Sequence, residues 1–172
     1  AIAVGRLEYQ KGFDILIDCW KEIAKRYPEW KLDIYGEGSC REELQRQINS
    51  LQLGDKIKIC GRNNNIIDVY PLYSLHLMTS RYEGLPMTLI EAQACGLSSV
   101  VFDYQYGASD IVSNGHNGLI IEQGNSKLFI EAAMKIMSSK ELRKEYGTNA
   151  ISISKQYYRE NIINKWIQII NN

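Results

Sequence analysis

Two glutamates separated by seven residues, Glu83 and Glu91, mark the segment S-R-Y-E-G-L-P-M-T-L-I-E-A-Q-A-C-G. The segment reads as a loop that turns into a helix. Gly84 is expected to let the chain bend tightly, and Pro86 suits the first helical turn because it has no N–H to satisfy. The unpaired amides of such a helix start, at the positive end of the dipole, favour a bound anion. Glu91, about two turns further on, can point toward something held beside Glu83. A phosphate at the helix start with hydroxyls near both acids describes one nucleotide-sugar.

Cations suited to a diphosphate stand in Gly5-Arg6-Leu7-Glu8-Tyr9-Gln10-Lys11-Gly12. Arginine grips phosphate oxygens with two parallel N–H bonds, whereas lysine acts as a mobile point charge. Taken alone, Arg6 and Lys11 read more readily as solvated loop cations. Two further polar segments are Gly36-Glu37-Gly38-Ser39 and Gly61-Arg62-Asn63. Gly36 and Gly38 either admit backbone close to a ligand or merely make the turn before a helix. Neither a full G-x-G-x-x-G nor a P-loop strengthens them. The sequence contains no D-x-D, the usual carboxylate pair for a divalent metal. No metal and no cofactor are therefore expected, and the charge on a bound diphosphate falls to Arg6, Lys11 and the helix start after Glu83. Cys19, Cys40, Cys60 and Cys95 lie far apart without C-x-x-C or a histidine partner, and read as reduced thiols. His76, within the apolar Leu75–Met78, reads as a satisfied core histidine.

Short apolar runs alternate with longer helical patterns and must position these groups. Strands are expected at Ile2–Val4, Lys31–Tyr35, Lys56–Cys60, Leu75–Met78, Ser98–Phe102 and Leu119–Ile121. Phe13, Leu16, Ile17, Trp20, Ile23 and Ala24 share one helical face. Ser39 and Glu42 have the spacing of a capping box for the next helix, which carries Leu44, Ile48 and Leu51. Leu128, Phe129, Ala132, Ala133, Ile136 and Met137 mark a later helix, introduced by Gly124 and Asn125. This β-α-β-α order implies an α/β fold: a doubly wound parallel sheet with helices on both faces. In such a sheet ligands bind beyond the carboxyl ends of the strands, where the four polar segments would meet. Past about Ser139 the pattern is helical without strands. Ile162, Ile163, Trp166, Ile167 and Ile170 give the last helix, within residues 156–172, a wide apolar face. In a finished domain that face packs on the sheet layer; in a truncated one it has lost part of its partner.

The chain has 172 residues, enough for one compact domain and too few for two large ones. A hydrophobic content of 45% is that of an ordinary globular domain, and a formal net charge of zero argues against a nucleic-acid binder. No apolar run has the length of a membrane span, and no signal peptide is visible. The chain begins without Met, straight into Ala1-Ile2-Ala3-Val4, like a strand cut out of a longer protein.

V-G-R-L-E-Y-Q-K-G, I-Y-G-E-G, the E-G-L-P…E segment and G-A-S-D-I-V-S-N-G-H-N-G-L-I follow one another in an order that resembles the C-terminal half of the GT-B retaining glycosyltransferases, group 1 or family 4 type. The resemblance covers essentially the whole chain, residues 1–172, and implies a Rossmann-like domain that binds a nucleotide-sugar donor, UDP preferred. A separate N-terminal half, absent from this chain, would bind the glycan or glycolipid acceptor, and the 156–172 helix would pack toward it. The resemblance gives Arg6 and Lys11 the diphosphate and its developing charge, and Glu83 the hydroxyls of the donor sugar. It sets the Gly84 and Leu85 amides near sugar and phosphate, Glu91 on the ribose hydroxyls, and Gly5 and Pro86 within the donor-binding set. Gly36, Gly61 and Arg62 fall where the base and ribose pocket is built. Ser109-Asp110 stands where the family often has Pro-Glu, which leaves the role of that loop open. The implied reaction is metal-independent transfer with retention in cell-envelope polysaccharide synthesis, in the cytoplasm, with peripheral contact at the inner face of the membrane through the absent half. Two other readings fit the residues: a non-hydrolysing nucleotide-sugar epimerase, and a non-catalytic nucleotide-sugar binding module.

Overall fold

The computed structural model describes residues 1–104 and 107–171. In chain order the elements are β1 (Ile2–Val4), α1 (Phe13–Arg26), β2 (Leu32–Tyr35), α2 (Arg41–Ser50), β3 (Ile57–Gly61), α3 (Ile66–Val69) and β4 (His76–Met78). They continue with α4 (Met87–Ala94), β5 (Ser99–Asp103), α5 (Ala108–Ile111), β6 (Gly118–Glu122), α6 (Ser126–Ser138), α7 (Lys140–Ser154) and α8 (Arg159–Ile170). Every expected strand is present to within a residue or two, and every pairing is parallel.

Successive side chains on a strand point to opposite faces, so a sheet covered on both sides needs apolar residues in unbroken runs. Ala3, Leu32, Ile34, Leu77, Val100 and Phe102 pack on one side with α1, α2 and α6. Ile2, Met78 and Val101 face the other layer, which includes α4, α5 and Tyr70. The expected stripe of α1 is buried in full, with Cys19 added. Leu128 is the exception in α6: it lies in the first turn and stays exposed, while its amide donates to Asn125 Oδ1 at 3.1 Å.

The strand order is β3-β2-β1-β4-β5-β6. The chain winds outward from β1 to β3, returns to lay β4 beside β1, then winds outward the other way. That reversal opens a crevice beyond the carboxyl ends of β1 and β4. Segments 5–12 and 79–86 line it directly.

Two expectations need correction. Ser39 does not cap α2; its hydroxyl donates to Glu8 Oε2 at 2.7 Å and its amide to Glu8 Oε1 at 3.0 Å. A carboxylate accepting two charge-assisted bonds outcompetes a helix end, and Cys40 occupies the N-cap without a side-chain bond. The same two bonds, the amide first, hold the Glu8 carboxyl below its usual range. His76 is buried but only half satisfied: Nδ1 meets Ser99 Oγ at 3.2 Å, and Nε2 finds no partner among the described residues. Burial pushes its pKa down to about 3, so the ring is neutral. Of the two alternatives left open for the last helix, packing on the sheet layer is not seen for α8. None of its residues is buried, and Trp166 is 60% and Ile170 76% exposed. No helix among the described residues is long and apolar enough to cross a membrane.

Candidate functional site

The strand ladders continue into the loops that follow them. Gly5 N donates to Tyr35 O at 3.0 Å, Leu7 N to Glu37 O at 2.9 Å and Gly36 N to Gly61 O at 2.9 Å. Arg81 N donates to Gln10 O at 2.8 Å, joining the loop after β4 to the loop after β1. The four polar segments thus form one rim. A Cβ at Gly36 would lie 1.8 Å from Gly5 O, and one at Gly38 2.4 Å from Leu7 O. Loop packing therefore requires these glycines, and Gly36 also lines the cleft described below.

Lys11 and Glu83 meet across the crevice between β1 and β4. Lys11 Nζ lies 2.6 Å from Glu83 Oε1, with only 13% and 6% of the two side chains exposed. Water screens such a pair poorly, and removing it from solvent is tolerated because further donors complete the carboxylate. Ser80 Oγ donates to the same Oε1 at 2.7 Å, and Gln10 Nε2 to Oε2 at 3.3 Å. Gln10 Oε1 in turn accepts from Arg6 Nη2 at 3.3 Å. Gly5 explains the lysine's path: a Cβ there would sit 3.1 Å from Lys11 Cδ and 3.2 Å from Cε.

A second clamp lies beside the first. Arg81 reaches Asp14 with two bonds, at 2.8 and 2.6 Å, donates to Tyr9 O at 2.7 Å and covers the Tyr9 ring at 3.8 Å. Sequence reasoning missed Gln10, Asp14, Ser80 and Arg81 as contributors. Three of them sit inside the quoted motifs, but nothing in their residue type separates them from ordinary loop side chains.

A cleft of about 390 Å³ adjoins this cluster, lined by Gly5, Arg6, Tyr35, Gly36, Arg62 and Ile66 among others. Gly61, the last residue of β3, leads directly into Arg62. Arg6 thus belongs to both the cleft and the charged cluster. Glu91 stands on α4, where Tyr70 Oη donates to its Oε2 at 3.3 Å and to Thr88 O at 3.2 Å. Tyr70 follows α3, whose first residue, Ile66, forms part of the cleft wall. Burial raises the Glu91 carboxyl above its usual range, with the Tyr70 bond opposing. A carboxyl raised on folding binds more protons in the native state. Its ionisation therefore subtracts from stability, and the loss grows as pH rises from the ordinary glutamate value through the raised one.

The E-G-L-P segment differs from expectation in two details. Gly84 has no left-handed backbone, and a Cβ there would meet nothing within 4 Å, so the bend does not require glycine. Pro86 is the N-cap of α4 rather than a residue of its first turn; its carbonyl accepts from Leu89 and Ile90. Leu85 is 55% exposed at the rim. Gly107, at φ +97°, packs against this segment, and its Cβ would lie 3.0 Å from both Gly84 O and Pro86 Cδ. Ser109 and Asp110 follow in α5, so their loop abuts the E-G-L-P turn.

The arrangement suits an anion flanked by hydroxyls: two cations, a saturated carboxylate, a second carboxylate and a cleft of nucleoside size. The chain matches the family described as glycosyl transferases group 1 over residues 1–153. It belongs to that family. The Erwinia amylovora amylovoran biosynthesis glycosyltransferase AmsD is 36% identical over 170 residues, which is 99% of this chain and 47% of that protein. The Bacillus subtilis poly(glycerol-phosphate) alpha-glucosyltransferase is 29% identical over 99% of this chain and 25% of its own length. This group 1 chain thus spans half or less of these curated relatives. Among solved structures, a variant of S. aureus TarM in complex with Fondaparinux, alpha-GlcNAc-glycerol and UDP superposes with a TM-score of 0.93 at 27% identity, covering 99% of this chain and 35% of TarM. The pneumococcal O-GlcNAc transferase GtfA, in complex with UDP and GlcNAc, gives 0.90 at 25% identity over 99% of this chain and 35% of that one. The six-stranded parallel sheet with helices on both faces is the Rossmann-like half of a GT-B fold.

Proposed function

We propose that this domain binds the nucleotide-sugar donor of a glycosyltransferase that moves the sugar, with retention and without a metal, to a polysaccharide or glycolipid acceptor held by a second half. The observation that carries this reading is the Lys11–Glu83 pair at the sheet reversal, next to the cleft that Arg6 shares. In this reading the base and ribose occupy the cleft along Gly36, Gly61 and Arg62. Glu91 accepts from the ribose hydroxyls, as an ionised carboxylate can accept two donors at once. Arg6, Lys11 and the start of α4, near Gly84, Leu85 and Pro86, neutralise the diphosphate as it leaves. Glu83 orients the sugar. The departing phosphate oxygen takes the acceptor proton on the same face, so no side-chain base is needed. UDP is the preferred nucleotide because both similar structures named above contain it. Reaction at the cytoplasmic side of a membrane-bound acceptor accords with the polymer-forming names of the relatives.

Calorimetric titration with UDP, GDP and ADP, then with UDP-glucose and UDP-N-acetylglucosamine, tests the reading. UDP is expected to bind best. Glu91→Gln is expected to weaken it about tenfold, as for a lost charged hydrogen bond. The same substitution should raise the unfolding temperature near pH 8 and lose that advantage near pH 4, since it removes a charge that folding disfavours. Binding of none of the three nucleotides would refute the assignment.

The exposed apolar face of α8 fits a partner within the same protein. Ile163, Trp166, Ile167 and Ile170 are each at least 44% exposed, and the relatives have as much chain again or more beyond the matched part. In the complete protein the α8 amides are expected to gain protection from hydrogen exchange relative to this domain alone. Equal exchange in both would place the helix in solvent.

A further inference from the structure

Gln10 is a neutral group that bridges Arg6 and Glu83, beside the direct Lys11–Glu83 pair. Its Nε2 donates to Glu83 Oε2 at 3.3 Å and to Tyr82 O at 2.9 Å, while its Oε1 accepts from Arg6 Nη2 at 3.3 Å. The orientation of the amide is fixed by its surroundings: the NH2 faces two acceptors and the oxygen a donor. With Lys11 and Ser80 already on Oε1, Gln10 supplies the one side-chain donor on Oε2 among the described residues. A carboxylate held at both oxygens keeps one rotamer, and an arginine anchored at one Nη retains its remaining donors for an anion.

We infer that Gln10 is a positioning residue that ties Arg6, on the phosphate side, to Glu83, on the sugar side, so that both meet one donor molecule in register. The inference rests on the donor-site reading given above. The residue touches no reacting atom. It acts by holding two groups that do, and remote groups of this kind matter because small displacements of reacting partners are expensive.

Gln10→Glu separates this role from plain bracing of the loop. It keeps the acceptor that Arg6 uses and replaces the donor that Glu83 uses with a second carboxylate. The charged groups around the new side chain would be Arg6 and Glu83, which Gln10 already meets, Lys11 on the same Glu83 carboxylate, and Arg81, whose amide donates to the Gln10 carbonyl; Tyr104, just past β5, feels the charge of Glu83. Two carboxylates at hydrogen-bond distance cannot both ionise freely, so the pair would retain a shared proton to unusually high pH. A glutamate that simply paired with Arg6, away from Glu83, would instead titrate low and leave a flat profile.

The experiment titrates UDP into the complete protein and its Gln10→Ala, Gln10→Glu and Lys11→Ala variants, from about pH 8 to about pH 5.5. Gln10→Ala is expected to lose about tenfold in affinity at every pH. Gln10→Glu is expected to lose at least as much near pH 8 and to regain affinity as the solution is acidified. A pH-independent Gln10→Glu, or a Gln10→Ala that binds as the unaltered protein does, would overturn the inference. Lys11→Ala is the reference: if it too binds UDP normally, the donor-site reading fails, whereas if it alone is impaired only the role of Gln10 falls.

Discussion

If this domain holds the donor as proposed, replacing Lys11 with alanine is expected to lower the turnover of the complete protein by about two to three orders of magnitude, the usual cost of one preorganised donor to a developing anion. Two effects act together. The diphosphate loses a cation that is nearly buried and therefore poorly screened, and Glu83 loses the partner that neutralises it at 2.6 Å. The carboxylate would then stand beside the incoming phosphates with, among the described residues, just the neutral donors Ser80 and Gln10 to hold it. The ground state suffers from that repulsion as well as the transition state, so donor affinity should fall along with the maximal rate. Lys11→Arg should restore little. The lysine methylenes run past Gly5 where even an added Cβ would be tight, at 3.1–3.3 Å, and the bulkier planar guanidinium is not expected to follow the same path to Glu83. Steady-state kinetics with the best-binding UDP-sugar decides the matter, with thermal unfolding as a control for folding. Near-normal turnover in Lys11→Ala would remove the lysine from the chemistry.

Much of this architecture was legible in the residues. Central strands such as Ser99–Asp103 announce themselves as continuous apolar runs because both faces are covered, and α1 does so through one apolar stripe. Lys11 and Glu83 were legible as charged residues after two different strands, and the sheet reversal explains why they meet. Gln10, Ser80 and Arg81 were not legible, since a neutral amide, a hydroxyl and a loop arginine acquire their roles only from partners about seventy residues away or, for Ser80, from a neighbour's rotamer. The capping box at Ser39 misled for the same reason: a distant carboxylate, Glu8, competed for the donors. Gly84 and Gly36 looked alike in sequence and differ in space, because the need for glycine depends on what lies opposite the missing Cβ.

That difference yields the second large effect. Gly36→Ala is expected to destabilise the domain by about 2–4 kcal/mol, combining overpacking with the loss of one or two backbone hydrogen bonds. The added Cβ would lie 1.8 Å from Gly5 O and 2.9 Å from Gly5 C, both backbone atoms that cannot rotate away. Relief requires the loops after β1 and β2 to part, which strains the Gly5 N–Tyr35 O and Gly36 N–Gly61 O bonds at 3.0 and 2.9 Å. Unfolding should begin roughly 5–15 °C lower for a domain of this size. The cleft should suffer further, because Gly5, Tyr35 and Gly36 all line it, so UDP affinity is expected to fall even at temperatures where the variant is folded. Gly84→Ala provides the contrast: its Cβ enters open space with ordinary backbone angles, so it should melt like the unaltered protein, and any loss of UDP binding would come from contact with the ligand. A Gly36→Ala protein that unfolds within about 2 °C of the unaltered chain would show that the two loops separate without cost, and the rim would then be too loose to hold Arg6 and Lys11 in place.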